Sequence, residues 1–253
     1  MTNSFSLINR NIVVTGASSG IGKQCAISCS QMGANVILLD RNEQKLKETF
    51  DILEEGNHSF YSLDLTNFSD IEPVIKEVVS KIGKISGLIH SAGIGMTLPL
   101  KLLTPTHYNK VININVIAGL ELVRILSKKK YLDNVGASYV LIASVMSIVG
   151  DIGNVAYCLS KGALVPATKA LALELAKKNI RVNCVSPGVI ETEMAIELFK
   201  TISIEAKELL IKKHPLGLGR VTDVAYACIF LLADASKWVT GTNLIVDGGY
   251  CAQ

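Results

Sequence analysis

The stretch Asn11-Ile12-Val13-Val14-Thr15-Gly16-Ala17-Ser18-Ser19-Gly20-Ile21-Gly22 decides the fold. Its first five residues are mostly apolar and β-branched, which predicts a short buried strand. The glycines that follow allow a tight turn, and residues 23–32 predict a helix. A helix that begins after such a turn offers free N–H groups to a phosphate, so the stretch predicts a dinucleotide pyrophosphate site. A glycine turn without function is the alternative, and the flanking strand and helix favour the binding site.

Asp40 follows a second predicted strand, residues 35–39, and lies 18 residues beyond Gly22. A carboxylate at about this distance accepts hydrogen bonds from the hydroxyls of an adenosine ribose, and it repels a 2′-phosphate. The sequence therefore favours NAD(H). NADP(H) stays possible because the guanidinium of Arg41 could pair with a 2′-phosphate. The alternative interpretation is that Asp40 is a turn residue without a role in binding.

Strands and helices alternate along the whole chain, which predicts an α/β fold with a doubly wound parallel sheet of about seven strands and helices on both faces. No linker, repeat or low-complexity segment interrupts the alternation, so we expect one dinucleotide-binding and catalytic domain over residues 1–253. The later strands are expected at 59–63, 87–93, up to Ser144, at 180–185 and at 243–246. The later helices are expected at 43–55, 68–82, 108–130, 155–178, 191–213 and 221–233. The weak turn punctuation at 191–213 indicates a substrate lid at about 189–215.

Composition narrows the function classes. The net charge is +3 and apolar residues make up 49% of the chain, so neither nucleic acid nor a membrane surface is an expected partner. No stretch approaches the ~20 apolar residues of a membrane span, and residues 1–10 do not resemble a secretory signal. The cysteines are scattered, which suits a reducing cytoplasm. The histidines show no metal-ligand spacing, so no metal site is expected.

Tyr157 and Lys161 lie four residues apart in a predicted helix, so their side chains share one face. A phenol has an ordinary pKa of ~10, and a nearby ammonium lowers that pKa. Ser144 ends an apolar run 13 residues upstream, at the strand edge where open α/β sheets bind ligands. A hydroxyl, a phenol and an amine can therefore meet at one site. Taken alone, the tyrosine–lysine spacing is more often a surface helix with a lysine stem lying on it.

In order and spacing these residues resemble the short-chain dehydrogenase/reductase family over nearly the whole chain. The motifs that carry the resemblance are Thr15-Gly16-x-x-x-Gly20-x-Gly22, Asp64, Asn115, Ser144, Tyr157-x-x-x-Lys161 and Pro187-Gly188. The resemblance implies a Rossmann-like enzyme that transfers a hydride between a nicotinamide coenzyme and a carbonyl or secondary alcohol. It also implies a homotetramer.

The resemblance assigns roles to individual residues. Tyr157 is the expected general acid or base, Lys161 lowers its pKa and holds the nicotinamide ribose, and Ser144 binds the reacting oxygen. Asn115 is expected to hold a water that links Lys161 to solvent, with Asn113 as the competing candidate. The expected coenzyme contacts are Gly16, Ser18, Ser19, Gly20, Ile21, Gly22, Asp40, Arg41, Asp64, Leu65, Ala92, Gly93, Tyr157, Lys161, Pro187, Gly188, Ile190 and Thr192.

One departure from the family pattern is visible. The family has Asn-Asn-Ala-Gly where this chain has His90-Ser91-Ala92-Gly93. The family asparagine ties the central strands together, and an imidazole can also donate and accept hydrogen bonds. We therefore expect His90 to stabilise the sheet and to have no catalytic role.

The expected substrate segments, 94–103, 145–154 and 189–199, are mostly apolar and contain no arginine. They favour an apolar substrate such as a 3-oxoacyl compound, a steroid or a related ketone. A 3-oxoacyl-carrier-protein reductase is one alternative, although such relatives usually carry a basic residue where Leu173 precedes Glu174. A hydroxysteroid or sugar-alcohol dehydrogenase is an alternative of equal standing with that reductase. A non-catalytic NAD sensor or scaffold of the same fold is the alternative from another class.

Overall fold

A computed structural model describes residues 3–253, apart from the side chain of Thr201. Seven parallel strands form one sheet: β1 Asn11–Thr15, β2 Asn35–Asp40, β3 Ser59–Ser62, β4 Gly87–His90, β5 Ala137–Ile142, β6 Ile180–Pro187 and β7 Asn243–Val246. Their order across the sheet is β3-β2-β1-β4-β5-β6-β7. The predicted Rossmann-like, doubly wound parallel sheet is confirmed.

The helices are α1 Gly20–Gln31, α2 Glu43–Phe50, α3 Phe68–Ile82, α4 Pro105–Ile112, α5 Ala118–Leu126, α6 Val155–Leu175, α7 Glu193–Thr201, α8 Ile204–Lys212 and α9 Val221–Leu232. They cover both faces of the sheet, which is why the strands are apolar on both sides. In β1, Val13 packs with residues of α3, α5 and α6. Ile12 and Val14 pack on the opposite face, with residues of α1, α2 and α9.

The strand order reverses between β1 and β4. The chain leaves β1 toward β2 and β3, then crosses to β4 on the other side of β1. Their register pairs Thr15 with His90, so the turns after both strands leave the sheet at the same edge. Open α/β sheets bind ligands at such a crevice, outside the carboxyl ends of the strands.

The helix predicted at 108–130 is not continuous. It begins earlier, because Pro105 is well suited to a first helical turn that Thr104 and His107 cap reciprocally. The π-helical turn Asn113–Ile117 separates α4 from α5, and α5 ends at Leu126. Such turns insert an extra residue and are frequent at functional sites.

The helix predicted at 191–213 is two helices. Ser203 caps α8 by accepting a hydrogen bond from the Ala206 N–H at 3.2 Å, so the chain stops and restarts there. The helix predicted at 43–55 ends at Phe50. Its continuation turns back toward α1, where the Glu54 N–H donates to the Ser30 hydroxyl.

Several strand and helix ends also move by a few residues. The fifth strand ends at Ile142, two residues before Ser144, while β6 continues to Pro187 because Pro187 pairs with Val246.

Within residues 3–253, no helix combines the length and apolar character needed to cross a bilayer. One domain over residues 1–253 with a lid at 189–215 stays a prediction, and residues 1 and 2 lie outside the described part.

Candidate active site

A cavity of about 820 Å³ opens at the carboxyl edge of the sheet. Its walls are the segments that follow β1, β2, β3, β4 and β6, so it spans the point where the strand order reverses. The predicted coenzyme contacts that line it are Gly16, Ser18, Ser19, Gly20, Ile21, Asp40, Arg41, Asp64, Leu65, Ala92, Gly93 and Thr192. The predicted contacts Gly22, Tyr157, Lys161, Pro187, Gly188 and Ile190 are not among the residues that line the cavity.

The glycine turn is shaped by close backbone approach. Gly16 has φ +67°, and a Cβ there would lie 2.9 Å from the Ala92 nitrogen. A Cβ on Gly22 would lie 2.2 Å from the Gly16 carbonyl oxygen, so Gly22 lets α1 pack on the turn from outside the cavity. The Thr15 hydroxyl accepts the N–H groups of Ser91 and Ala92 at 3.1 and 3.0 Å. These contacts hold the turns after β1 and β4 together.

The β2 end of the cavity carries most of its charge. Asp40 accepts the Asn42 N–H at 3.0 Å, which fixes the carboxylate at the strand end. Asp64 accepts the Thr66 hydroxyl at 2.7 Å and the Thr66 N–H at 2.9 Å. These bonds lower the pKa of Asp64, and the nearby Arg41 charge lowers it further.

The first turn of α7 closes the other side. Thr192 caps this helix, and its methyl carbon lies 3.4 Å from the Cβ position of Gly20. The Met194 sulfur lies 3.7 Å from the Cβ position of Gly95, and Glu193 reaches Lys45 at 3.3 Å. Residues 192–194 therefore border three walls of the cavity.

Pro187, Gly188 and Ile190 lie behind this wall. The Gly188 N–H donates to the Val246 carbonyl at 3.0 Å, which continues the β6–β7 pairing. Ile190 is buried in the core beside α1 and α9. The Ile190 carbonyl accepts a hydrogen bond from the Thr192 hydroxyl at 3.2 Å, so this buried segment helps to position Thr192.

Four polar side chains predicted to be catalytic come together beside the cavity. The Ser144 hydroxyl lies near enough to the Tyr157 phenol to act on its pKa, and it accepts the Met146 N–H at 3.2 Å. The Lys161 ammonium donates to the Ile142 carbonyl at 2.7 Å and lies 5.9 Å from the centre of the Tyr157 ring. We call Ser144, Tyr157, Lys161 and Asn115 the quartet.

Asn115 joins the quartet from the π-helical turn. Its amide oxygen accepts the Ile94 N–H at 2.8 Å, and its amide nitrogen donates to the Ser160 hydroxyl at 3.0 Å. Asn115 is fully buried, whereas Asn113 is only half-buried. A Cβ on Gly93 would lie 3.0 Å from the Asn115 oxygen and 3.4 Å from the Lys161 nitrogen. Since Gly93 lines the cavity, Asn115 and Lys161 lie directly behind this glycine.

Comparison with known proteins identifies the family. A family model described as enoyl-(acyl carrier protein) reductase matches residues 16–251. An NAD-dependent glycerol dehydrogenase of Listeria innocua serovar 6a is 35% identical over 247 residues, which cover 97% of this chain and 95% of the relative. A 3-oxoacyl-[acyl-carrier-protein] reductase of Thermotoga maritima is 35% identical over 94% of this chain and 96% of its own length. The chain belongs to the short-chain dehydrogenase/reductase family.

Solved structures agree. A 7α-hydroxysteroid dehydrogenase complexed with NADH and 7-oxo-glycochenodeoxycholic acid matches with a TM-score of 0.91 at 29% identity, over 98% of both chains. A protein of Agrobacterium tumefaciens with bound NADP matches with a TM-score of 0.90 at 29% identity, over 100% of both chains. The relatives are dehydrogenases and reductases, so the predicted enzyme class, an NAD(P)-linked oxidoreductase, is confirmed.

The electrostatics of this short-chain dehydrogenase/reductase correct one expectation. Burial raises the pKa of Tyr157, and the nearby Ser144 hydroxyl opposes the rise without cancelling it. The expected lowering by Lys161 is not seen. Lys161 is itself buried, and burial lowers the pKa of its ammonium to about 8.

His90 marks the departure from the family pattern. Its Nδ1 lies 3.0 Å from the Thr15 hydroxyl, across the β1–β4 pair. Because that hydroxyl oxygen already accepts two N–H groups, its own proton points to Nδ1 and the ring proton sits on Nε2. The Ile114 carbonyl is near, but no acceptor in residues 3–253 meets Nε2 at hydrogen-bonding geometry. Burial lowers the pKa of His90 to about 3, so the ring is neutral.

The cavity also contains residues that the coenzyme prediction omitted. They are Asn42, Lys45, Leu63, Thr66, Ser91, Ile94, Gly95, Met96, Lys110, Ile114, Glu193 and Met194. Most follow a strand end by a few residues, so the rule that strand ends bind ligands could have found them. Lys110 could not have been found in this way, because it depends on how α4 packs over the crevice.

Proposed function

We propose that this short-chain dehydrogenase/reductase interconverts a secondary alcohol and a ketone with NAD(H), and that Tyr157 exchanges the proton with the substrate oxygen. The observation that carries the proposal is the position of Asn115 and Lys161 directly behind Gly93, which lines the cavity, with the Tyr157 ring beside Lys161. When bound, the coenzyme supplies the hydride acceptor in oxidation and the hydride donor in reduction. The protein supplies the proton, the orientation and the charge.

The described residues fit a dinucleotide. Gly16 and Gly93 leave a cradle that a side chain would fill, and the start of α1 offers backbone N–H groups to a pyrophosphate. Asp40 is placed to accept the hydroxyls of a ribose. The apolar Leu65 beside Asp64 offers a contact for an adenine edge.

The quartet divides the proton chemistry. Tyr157 holds the proton that a carbonyl oxygen takes up during reduction, and the Ser144 hydroxyl, near the phenol, is placed to share that oxygen. Lys161 keeps N–H donors beyond the one given to Ile142. With a pKa of about 8, its ammonium can lose a proton at little cost near neutral pH. Asn115 ties Ser160, the residue before this lysine, to the Ile94 backbone after β4.

Replacing Tyr157 with phenylalanine tests the proposal. Y157F should bind NADH as the wild type does and lose at least about 100-fold in turnover, because general acid–base catalysis contributes about 10²–10⁴-fold. Binding is measured by fluorescence titration and turnover by nicotinamide absorbance. Y139F is the matched control, since it removes a phenol hydroxyl from Tyr139, a fully buried residue of β5. Full activity in Y157F would end the assignment.

Asp40 supports a preference for NAD(H). Its carboxylate is fixed at the end of β2 and lines the cavity, where it would repel a 2′-phosphate. The relatives include one named NAD-dependent and one with bound NADP, so the family alone does not decide. The preference is tested by comparing kcat/KM for NADH and NADPH on one substrate.

An apolar ketone or alcohol is the proposed substrate class. Ile94, Met96 and Met194 line the cavity, and the exposed Ile152 lies in the segment 145–154 next to the quartet. The alternative, a carrier-protein reductase, is supported by the Thermotoga relative. Against it stands Leu173, an 81% exposed apolar residue where such reductases carry a basic one.

A panel of acyl, steroid and sugar carbonyls with both coenzymes separates these options. Turnover of a 3-oxoacyl group only when it is attached to a carrier protein would favour the alternative. Tight NADH binding with no turnover across the panel would favour an NAD-sensing or scaffold protein.

We also propose a homotetramer in a reducing, cytoplasmic compartment, with neither nucleic acid nor membrane as partner. The exposed face of α6 carries Val155, Leu159 and Leu173, which water does not favour. All six cysteines are free thiols. Residues 189–215 remain the proposed lid. Light scattering of the purified chain tests the assembly.

A further inference from the structure

Two cations line the β2 end of the cavity, and each faces a carboxylate of the same chain. The positive charge of Arg41 helps to lower the pKa of Asp64. The Lys45 ammonium lies 3.3 Å from the Glu193 carboxylate. All four side chains belong to residues that line the cavity with Asp40. A 2′-phosphate is held by arginine or lysine, and of these two cations Lys45 already has an ion-pair partner in Glu193.

Glu193 reaches this position from a distant part of the fold. Lys45 lies in the first turn of α2, and Glu193 is the first residue of α7, so the ion pair crosses the mouth of the cavity. The residue before Glu193 is held in place, since the Thr192 hydroxyl donates to the Ile190 carbonyl at 3.2 Å and accepts the Ala195 N–H at 3.3 Å. The backbone therefore presents the Glu193 carboxylate to the side of the cavity where Asp40 stands.

We propose that Glu193 determines coenzyme specificity by keeping Lys45 from a 2′-phosphate and by adding a second negative charge to that of Asp40. Asp40 selects against NADP from the sheet, and Glu193 selects against it from α7. This inference rests on the proposed function, because it requires a dinucleotide in the cavity.

The expected effect is moderate. The Lys45 and Glu193 side chains are 45% and 67% exposed, so water and salt screen their interaction. Asp40 remains in every variant and continues to oppose a 2′-phosphate. We therefore expect a shift in coenzyme preference of about threefold to tenfold, with the preference for NAD reduced rather than reversed.

The experiment measures dissociation constants for NADH and NADPH by fluorescence titration, together with competition by 5′-AMP and adenosine 2′,5′-bisphosphate. E193Q should bind NADPH and the bisphosphate about threefold to tenfold more tightly, with NADH and AMP changed less than twofold. The double variant K45Q/E193Q should lose this gain, because the freed lysine is what binds the phosphate. The gain should shrink in high salt.

E197Q is the matched control. Glu197 lies on α7 one turn further on, pairs with Lys200 at 2.6 Å and does not line the cavity. The same gain in E197Q would overturn the inference, since it would show a general charge effect. An equal change for NADH and NADPH in E193Q would also overturn it, because the pair would then act only on closure of α7. Wild-type protein that binds neither coenzyme would overturn the proposed function itself, whereas normal NADH binding with an unchanged NADPH to NADH ratio in E193Q overturns this inference alone.

Discussion

A lysine ammonium inside a protein costs free energy because it loses its hydration, and Lys161 is 5% exposed. The Ile142 carbonyl compensates only in part, so the pKa of Lys161 falls from 10.5 to about 8. Between these values the unfolded chain binds more protons than the folded one. The free energy of unfolding must therefore rise with pH across this window.

This linkage gives a prediction for Lys161→Met. From pH 7 to 9.5, the unfolding free energy of the wild type should rise by about 2 kcal/mol relative to that of K161M. Denaturant titrations at several pH values measure the difference. K169M is the control, because Lys169 lies on the same helix and is exposed. Parallel profiles for wild type and K161M would contradict the shifted pKa.

For individual residues, the sequence predicted which side chains lie near one another better than it predicted their pKa values. The spacing of Ser144, Tyr157 and Lys161 placed them together correctly, because a strand end and a helix face fix where such side chains go. The pKa of Tyr157 was not predictable, because it depends on how deeply tertiary packing buries the phenol. The ion pair of Lys45 with Glu193 joins residues 148 positions apart, and no local pattern encodes it.

At the scale of elements, α5 approaches β4 closely where Gly119 faces the His90 ring. A Cβ on Gly119 would lie 2.6 Å from a ring carbon of His90, so this helix approaches the strand only because residue 119 has no side chain. Alanine is preferred over glycine inside helices by ~1 kcal/mol, which would favour replacement in open space. Here the clash opposes that gain.

We therefore predict that Gly119→Ala destabilises the protein by about 1–2 kcal/mol, because overpacking outweighs helix propensity. In an H90N background, where the side chain is smaller, the same change should cost less than half as much. The matched control is G162A on α6, where a Cβ meets nothing within 4 Å and stabilisation is expected. Thermal unfolding measures all four variants, and equal costs in both backgrounds would refute the contact.

Helix boundaries were predictable for some elements and not for others. The helix at 68–82 agrees at both ends, and it continues through Pro73 in its second turn. The π-helical turn was not predictable, because apolar residues continue through it in the sequence. Its Asn115 is bonded to the Ile94 backbone, a tertiary contact that no local pattern encodes. The break between α7 and α8 rests on Ser203, a cap that stands in an otherwise helical pattern.

At the scale of the whole molecule, the alternation of strands and helices predicts the sheet, and the sheet predicts the crevice. The closure of that crevice was not predictable, since the first turn of α7 contacts segments from three other parts of the chain. A ligand in the cavity would add contacts to all of these segments at once. Binding should therefore stabilise elements that are distant in sequence.

NAD at 100 times its dissociation constant should raise the free energy of unfolding by ~2.7 kcal/mol, because only the folded chain binds it. Hydrogen exchange should slow most in α7, since Thr192, Glu193 and Met194 at its start line the cavity and Glu193 pairs with Lys45. The comparison segment is α3, whose residues do not line the cavity. Mass spectrometry of peptides from both regions, with and without NAD, measures the effect. Slowing in α3 that equals that in α7 would mean that binding raises only global stability, and the first turn of α7 would then have no part in holding the coenzyme.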